Sequence, residues 1–291
     1  VIRRHGRVVA VLAIASLVSG LSARVYAASG LSARVYAASG LSARTHVASG
    51  FSVLSYVVSG FSRTVFAQQA PAAPTPRAQA PIDLTGYWVS IVTEDWRWRM
   101  ITPPKGDYAS VPMTPAARKV ADSWDPKRDA AAGEACRAYG AAAIMRVPGR
   151  IHITWENDTT LRVDTEAGTQ TRLFRFSGAA AGGEPSWQGR SAAEWQISGG
   201  RRGAPPAGGS LKIVTTGLRP GYLRKNGVPY SGDAVVTEYF NRTNEPNGDS
   251  WLIVTTVVED PMYLTGRFVT SSHFKKAADG SIWHPTPCAV D

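Results

Sequence analysis

Acidic residues are absent from the first 82 positions, the earliest being Asp83, although the 291-residue chain holds 22 of them. Cysteine is scarce as well, and the two present, Cys136 and Cys288, lie too far apart for a Cys-x-x-Cys redox or zinc motif. No His-Glu-x-x-His, Gly-x-Ser-x-Gly, phosphate loop or Gly-x-Gly-x-x-Gly fingerprint occurs, so the usual signatures of zinc peptidases, serine hydrolases and nucleotide-dependent enzymes are missing. The N-terminal apolar run, Val8–Val18, covers 11 residues and falls short of the ~20 that a membrane-spanning helix needs. Neither a stable membrane span nor a cofactor is expected.

The net charge of +10 is unevenly placed. Seven of the 32 basic residues lie in residues 1–67, leaving 25 basic against 22 acidic residues elsewhere, a balance of +3. A nucleic-acid surface needs a concentrated cationic patch, and the interspersed signs give no reason to expect that partner. Arg3, Arg4 and Arg7 before Val8–Val18 read instead as the basic and apolar regions of a secretory signal.

Ser19–Ala28 recurs identically at Ser29–Ala38 and decays through Ser39–Ala48, Ser49–Val58 and Ser59–Gln68. A ten-residue unit is too short for a solenoid, whose repeats run to roughly 20 residues or more, so the copies read as a duplication inside the leader. Cleavage is expected after Ala27 or Ala28, the small-residue site nearest the apolar run. Residues 1–67 are thus assigned to a signal peptide with decapeptide repeats, 68–81 to a solvated Pro/Ala-rich linker, and 82–291 to one domain. Export to the periplasm or the extracellular space would place both cysteines where a Cys136–Cys288 disulfide is the default.

The domain reads as mainly β. Ile82–Thr93 and Asp95–Ile101 are rich in β-branched and aromatic residues; Arg150–Glu156 and Thr159–Thr165 flank a turn at Asn157-Asp158, and Thr169–Phe176 follows another. With Ala192–Ile197, Ser210–Thr216, Ala234–Asn241, Ser250–Val258 and Arg267–Phe274 these make about ten short strands in meander order, which favours a closed antiparallel barrel because closure removes unpaired edges. Thr114-Pro115 and Asp125-Pro126 each pair an N-cap with proline at the first helical position, so two short helices are expected after the second strand. Ser198–Gly209 reads as a flexible hairpin tip.

Thr93–Met100 (TEDWRWRM) is the densest chemical segment. Strand alternation would set Asp95, Arg97 and Arg99 on one face and Glu94, Trp96, Trp98 and Met100 on the other; either the tryptophans face inward with the charges solvated, or the Asp/Arg row lines a polar cavity. Arg219–Tyr230 (RPGYLRKNGVPY) reads as a loop from its Pro-Gly, Asn-Gly and Pro signals, and its Tyr222, Arg224, Lys225 and Tyr230, together with Arg97, suit a small aromatic or anionic ligand. Outside the leader the histidines are His152, His273 and His284, none with metal-ligand spacing. No metal is expected; His152, His273, Glu238 or Glu259 would supply the ligands if one bound. His273 and Glu238 are the acid/base candidates if the barrel is an enzyme.

Asp83-Leu84-Thr85-Gly86-Tyr87-Trp88 resembles the Gly-x-Trp first strand of lipocalin-like barrels, in which the Trp plugs the closed end. That resemblance gives Trp88 a structural role and implies a lipocalin or calycin-like fold. Cys136, Pro148-Gly149, Pro185-Ser186-Trp187-Gln188-Gly189-Arg190-Ser191 with Trp195, Thr237-Glu238-Tyr239-Phe240 and Glu259-Asp260-Pro261 resemble the pattern of a large family of exported bacterial proteins of unassigned function. The likeness spans nearly the whole domain but departs from the pattern after Trp195. It implies fold and export and supplies no catalytic residue.

Three classes of function follow. The abundance of Trp and Tyr, with no nucleophile motif, favours a protein that binds a small hydrophobic or aromatic molecule. The others are a cofactor-free isomerase, lyase or hydrolase using general acid/base residues, and an envelope scaffold.

Overall fold

The structure is a computed structural model that describes residues 73–178, 182–199 and 208–290. The expected signal peptide with its repeats and the expected cleavage site, with most of the Ser198–Gly209 tip, lie outside the described residues. Along the chain come β1 (Gly86–Ile91), α1 (Trp96–Arg99), α2 (Pro115–Asp122), α3 (Pro126–Ala131), β2 (Arg150–Asn157), β3 (Thr160–Thr165) and β4 (Gln170–Arg175). They are followed by β5 (Arg190–Ser198), β6 (Gly208–Thr216), β7 (Gly221–Arg224), β8 (Val228–Tyr230), β9 (Val235–Asn244), β10 (Ser250–Glu259) and β11 (Phe268–Lys276). Nine strands close a barrel in the order β1-β11-β10-β9-β6-β5-β4-β3-β2, while β7 and β8 pair only with each other. Among the described residues no helix is long and apolar enough to cross a membrane.

The period-two pattern decides which side chains fill the barrel. In β10, Leu252, Val254, Thr256 and Val258 are buried and alternate with residues that face outward. An odd number of strands cannot alternate in direction all the way round, so one neighbouring pair must run parallel. That pair is β4 and β5, which share only Phe174↔Ser191 and Arg175↔Ala192. The antiparallel meander is therefore interrupted at one seam.

The expected second strand, Asp95–Ile101, is instead the one-turn helix α1, and the helical segment follows β1 directly. Asp95 adopts a left-handed conformation with φ 52°, which aspartate tolerates better than most residues, and its carboxylate accepts from Arg146 Nη1 at 2.8 Å. The turn exposes Trp96 and buries Arg99, the reverse of the strand arrangement with the tryptophans inward. The caps of α2 and α3 form as their sequences imply: Thr114 Oγ1 accepts from Ala117 N at 3.1 Å and Asp125 Oδ1 from Lys127 N at 3.0 Å.

At the lower end Trp88 is fully buried and donates through Nε1 to Leu84 O at 2.9 Å, with the Arg242 and Lys276 cations over its ring. Trp155, Phe176 and Trp195 cluster nearby, and Trp195 Nε1 donates to Pro76 O at 2.8 Å. The second half of the expected linker is thus packed against the barrel through the Pro76 carbonyl and is not a free spacer.

The C-terminal segment runs up the outer wall. Trp283 meets the stacked Tyr87–His152 pair edge-on, and burial lowers the pKa of His152. Higher up, Thr286 N donates to Glu166 O at 2.9 Å, and Cys288 is joined to Cys136 with a Cα–Cα distance of 5.1 Å. The disulfide ties this segment to the helical insertion between β1 and β2.

The middle of the barrel is polar. Arg172 and Glu238 are both fully buried and face each other in a two-pronged ion pair of 2.9 and 2.5 Å. Arg172 also reaches Thr215 Oγ1 at 3.4 Å, which in turn bonds Ser191 Oγ at 2.8 Å. Below this layer Leu211, Phe240, Leu252 and Phe274 fill the interior.

Candidate functional site

The connections at the upper end fold into a cap, and its centre is the segment expected to be a loop. Asn226-Gly227 does reverse the chain, with Gly227 at φ 85°, but the flanking residues form the β7–β8 hairpin and all of Gly221–Arg224 and Val228–Tyr230 are buried. A side chain on Gly227 would collide with Trp124, so glycine is required both by conformation and by space. Asn226 is fixed by donating to Pro104 O at 3.2 Å and Asp107 O at 2.9 Å.

A cleft of about 40 Å³ lies between α1 and β7. Its polar wall is built from Arg99, Arg146, Arg224 and Lys225, its apolar wall from residues that include Ile101, Ala143, Val147 and Leu223. Arg99 pairs with Glu94 and donates from Nε to Arg146 O at 2.8 Å; Arg146 pairs with Asp95 at 2.8 Å. Arg224 is only 4% exposed and donates to Ala109 O at 2.7 Å. Among the described residues it has no carboxylate partner. Its guanidinium lies over Trp98 at 4.7 Å, and burial together with the nearby Arg146 cation lowers its pKa to about 10.

Tyr222 and Tyr230 stand on the other side of the hairpin, where a second cleft of about 210 Å³ is lined by Trp124, Arg137, Pro229 and Tyr263 as well. The Tyr222 hydroxyl donates to Asp129 Oδ2 at 2.8 Å and accepts from Arg137 Nη1 at 3.1 Å. Burial and the Asp129 hydrogen bond raise its pKa, so the phenol holds its proton and is a poor acid at neutral pH. The Tyr230 hydroxyl is buried without a hydrogen-bond partner, against the backbone of Gly140 and Gly221.

The remaining sequence candidates are dispersed. Arg97 is exposed and pairs with Asp107 at 2.8 Å on the outside of α1. Glu238 sits fully buried inside the barrel with both oxygens bonded to Arg172, and it lines neither cleft. His273 lies on the outward face of β11, with Nδ1 3.2 Å from Glu94 Oε2 and from Thr93 Oγ1, and Nε2 3.2 Å from Ser271 Oγ. Glu94 therefore links His273 to Arg99 and to the edge of the arginine cleft. Trp88, Cys136 and Cys288 occupy structural positions, as plug and disulfide.

Arg99 and Arg146 of the cleft, and Arg172 of the barrel interior, are buried arginines that were not among the candidates named from the sequence. The signal was present for two of them. Arg146 closes the apolar run Ala141–Met145, and Arg172 shares a strand face with Phe174; a cation inside an apolar pattern calls for a buried partner. For Arg99 the strand assignment left the charge on a face that was either solvated or lining a polar cavity. Comparison of the chain with family models, curated proteins and solved structures gave no match.

Proposed function

We propose that the protein is an exported barrel that binds a small molecule with a hydrophobic or aromatic body, held in the cap at the barrel mouth. The observation that carries this reading is the cleft between α1 and β7, where buried guanidiniums face apolar walls. Such pairing of a few placed polar groups with an apolar lining is what orients a small ligand. The barrel interior is a poor alternative, because Arg172, Glu238 and the aromatic layer below them fill it. Export is supported by the Cys136–Cys288 disulfide, which persists in oxidising compartments.

Acid/base catalysis is disfavoured by the engagement of Glu238 with Arg172 and of His273 with Glu94 on the outer wall. Native mass spectrometry of protein purified from the exporting cell, followed by release of bound molecules in organic solvent, tests the binding reading. A stoichiometric small molecule that is released on unfolding is expected. Protein that carries nothing and takes up nothing from a cell extract would refute it.

A further inference from the structure

We infer that the cleft between α1 and β7 recognises a carboxylate, the anionic head of an amphiphile whose apolar body lies along Ile101 and the exposed face of α1. This rests on the small-molecule-binding reading above and names the ligand class. Three side-chain guanidiniums line the cleft, each belonging to a residue more than nine-tenths buried, while only Glu94 and Asp95 pair with them. Of the three, Arg224 alone has no ion-paired carboxylate among the described residues, and Lys225 lines the cleft beside it. The Nε of Arg224 and the Nη2 of Arg146 are buried with no hydrogen-bond acceptor, and the two guanidinium carbons stand 5.9 and 5.8 Å from the same Phe268 ring.

Burying an uncompensated charge is expensive, and a guanidinium offers paired N–H groups that match the two oxygens of a carboxylate. The volume of about 40 Å³ holds a head group of a few atoms and no more, since roughly 10–15 Å³ of such space accommodates one water. The rest of the ligand must therefore lie outside it. Directly at its edge is Ile101, 74% exposed, and the same segment exposes Trp96 and Met100, which are joined by the Met100 N to Trp96 O hydrogen bond and so share one side of the turn. Exposed large apolar side chains concentrated beside a cationic cleft suit a molecule that is charged at one end only.

Calorimetric titration of the full chain with octanoate, octan-1-ol and inorganic phosphate tests this. Octanoate should bind at least tenfold more tightly than octan-1-ol, and phosphate should show no saturable binding at millimolar concentration. Arg224→Met keeps the length and packing of the side chain and removes the charge; it should weaken octanoate at least tenfold while the melting temperature holds or rises. Should that variant fold poorly, the 13C-carboxyl resonance of labelled octanoate on the wild-type protein serves instead, and it should titrate at lower pH than in free octanoate. Equal affinity for octanoate and octan-1-ol, or an unshifted carboxyl titration, would overturn carboxylate recognition and leave small-molecule binding standing. Tight phosphate binding would also overturn it. If no probe binds and nothing co-purifies, the binding reading itself falls.

Discussion

Replacing Glu238 by glutamine should cost about 3–5 kcal/mol of stability, the usual range when one partner of a buried ion pair is removed. The amide preserves the shape of the side chain and keeps one acceptor for Arg172. What it removes is the counter-charge of a guanidinium that is 0% exposed and has no other ion-paired carboxylate among the described residues. A pair of unit charges about 4 Å apart at an effective dielectric near 20 attracts by about 4 kcal/mol, which falls inside the same range. In a domain of this size each kcal/mol moves the melting temperature by roughly 2–4 °C, so a fall of about 6–20 °C is expected. The companion double variant, Glu238→Leu with Arg172→Met, removes both charges and should recover most of the loss, because two apolar side chains can fill the space without an unpaired ion. Urea unfolding followed by tryptophan fluorescence gives the free energies for the full cycle. Glu238→Gln within about 0.5 kcal/mol of the wild type, or a double variant as unstable as the sum of the two single changes, would refute the assignment of this pair as a coupled buried contact.

Cys136→Ser/Cys288→Ser should lower stability by about 2–5 kcal/mol, the upper figure matching the chain entropy released from a loop of 152 residues; thermal melts with and without reductant check it. The two cap tyrosines should respond oppositely to loss of the hydroxyl: Tyr222→Phe forfeits the bonds to Asp129 and Arg137 and should cost about 1–3 kcal/mol, whereas Tyr230→Phe removes an unpartnered group and should be neutral or stabilising. Chemical denaturation distinguishes these, and a large loss for Tyr230→Phe would contradict the packing described. His152 is depressed below its ordinary value of 6.5 by burial, so the unfolded chain binds the extra proton first. Its contribution is present above about pH 6.5 and is lost as pH falls through the lower folded value; melting temperatures at pH 7.5 and 5.0 should fall more for the wild type than for His152→Phe.

Most of the barrel could be read from alternation alone. All nine barrel strands carry enough β-branched and aromatic residues, with turn signals between them, to place them within a few residues, and the Gly-x-Trp of β1 marked the plug. Two segments misled, for identifiable reasons. Thr93–Met100 alternates charge and tryptophan as a strand would, yet a left-handed Asp95 held by Arg146 starts a helical turn, and the residue that pins it lies 51 positions away. Arg219–Tyr230 carries genuine turn signals at Asn226-Gly227, but a turn signal says nothing about burial, and helices packed around the hairpin take it out of solvent. The polar layer was half visible: Glu238 stood out as an acid on an apolar strand face, while Arg172, its partner, comes from a strand on the far side of the order and no spacing rule joins them. The arginine cleft has the same character, since its members come from α1, the segment before β2, and β7.

The parallel seam gives the barrel a place to begin opening. β9 and β10 are in register over ten residue pairs, from Ser250↔Asn244 to Glu259↔Val235, whereas β4 and β5 meet over two. In folding terms the wall is a nine-stranded sheet whose two edges touch, with β2, β3 and β4 assembling from short local hairpins on one side and β1 bridging them to the larger block on the other. Amide protons of β4 and the start of β5 should accordingly exchange with solvent through local unfolding well before those of β9 and β10, and the chain should acquire that last contact late, after the rest of the sheet has rolled.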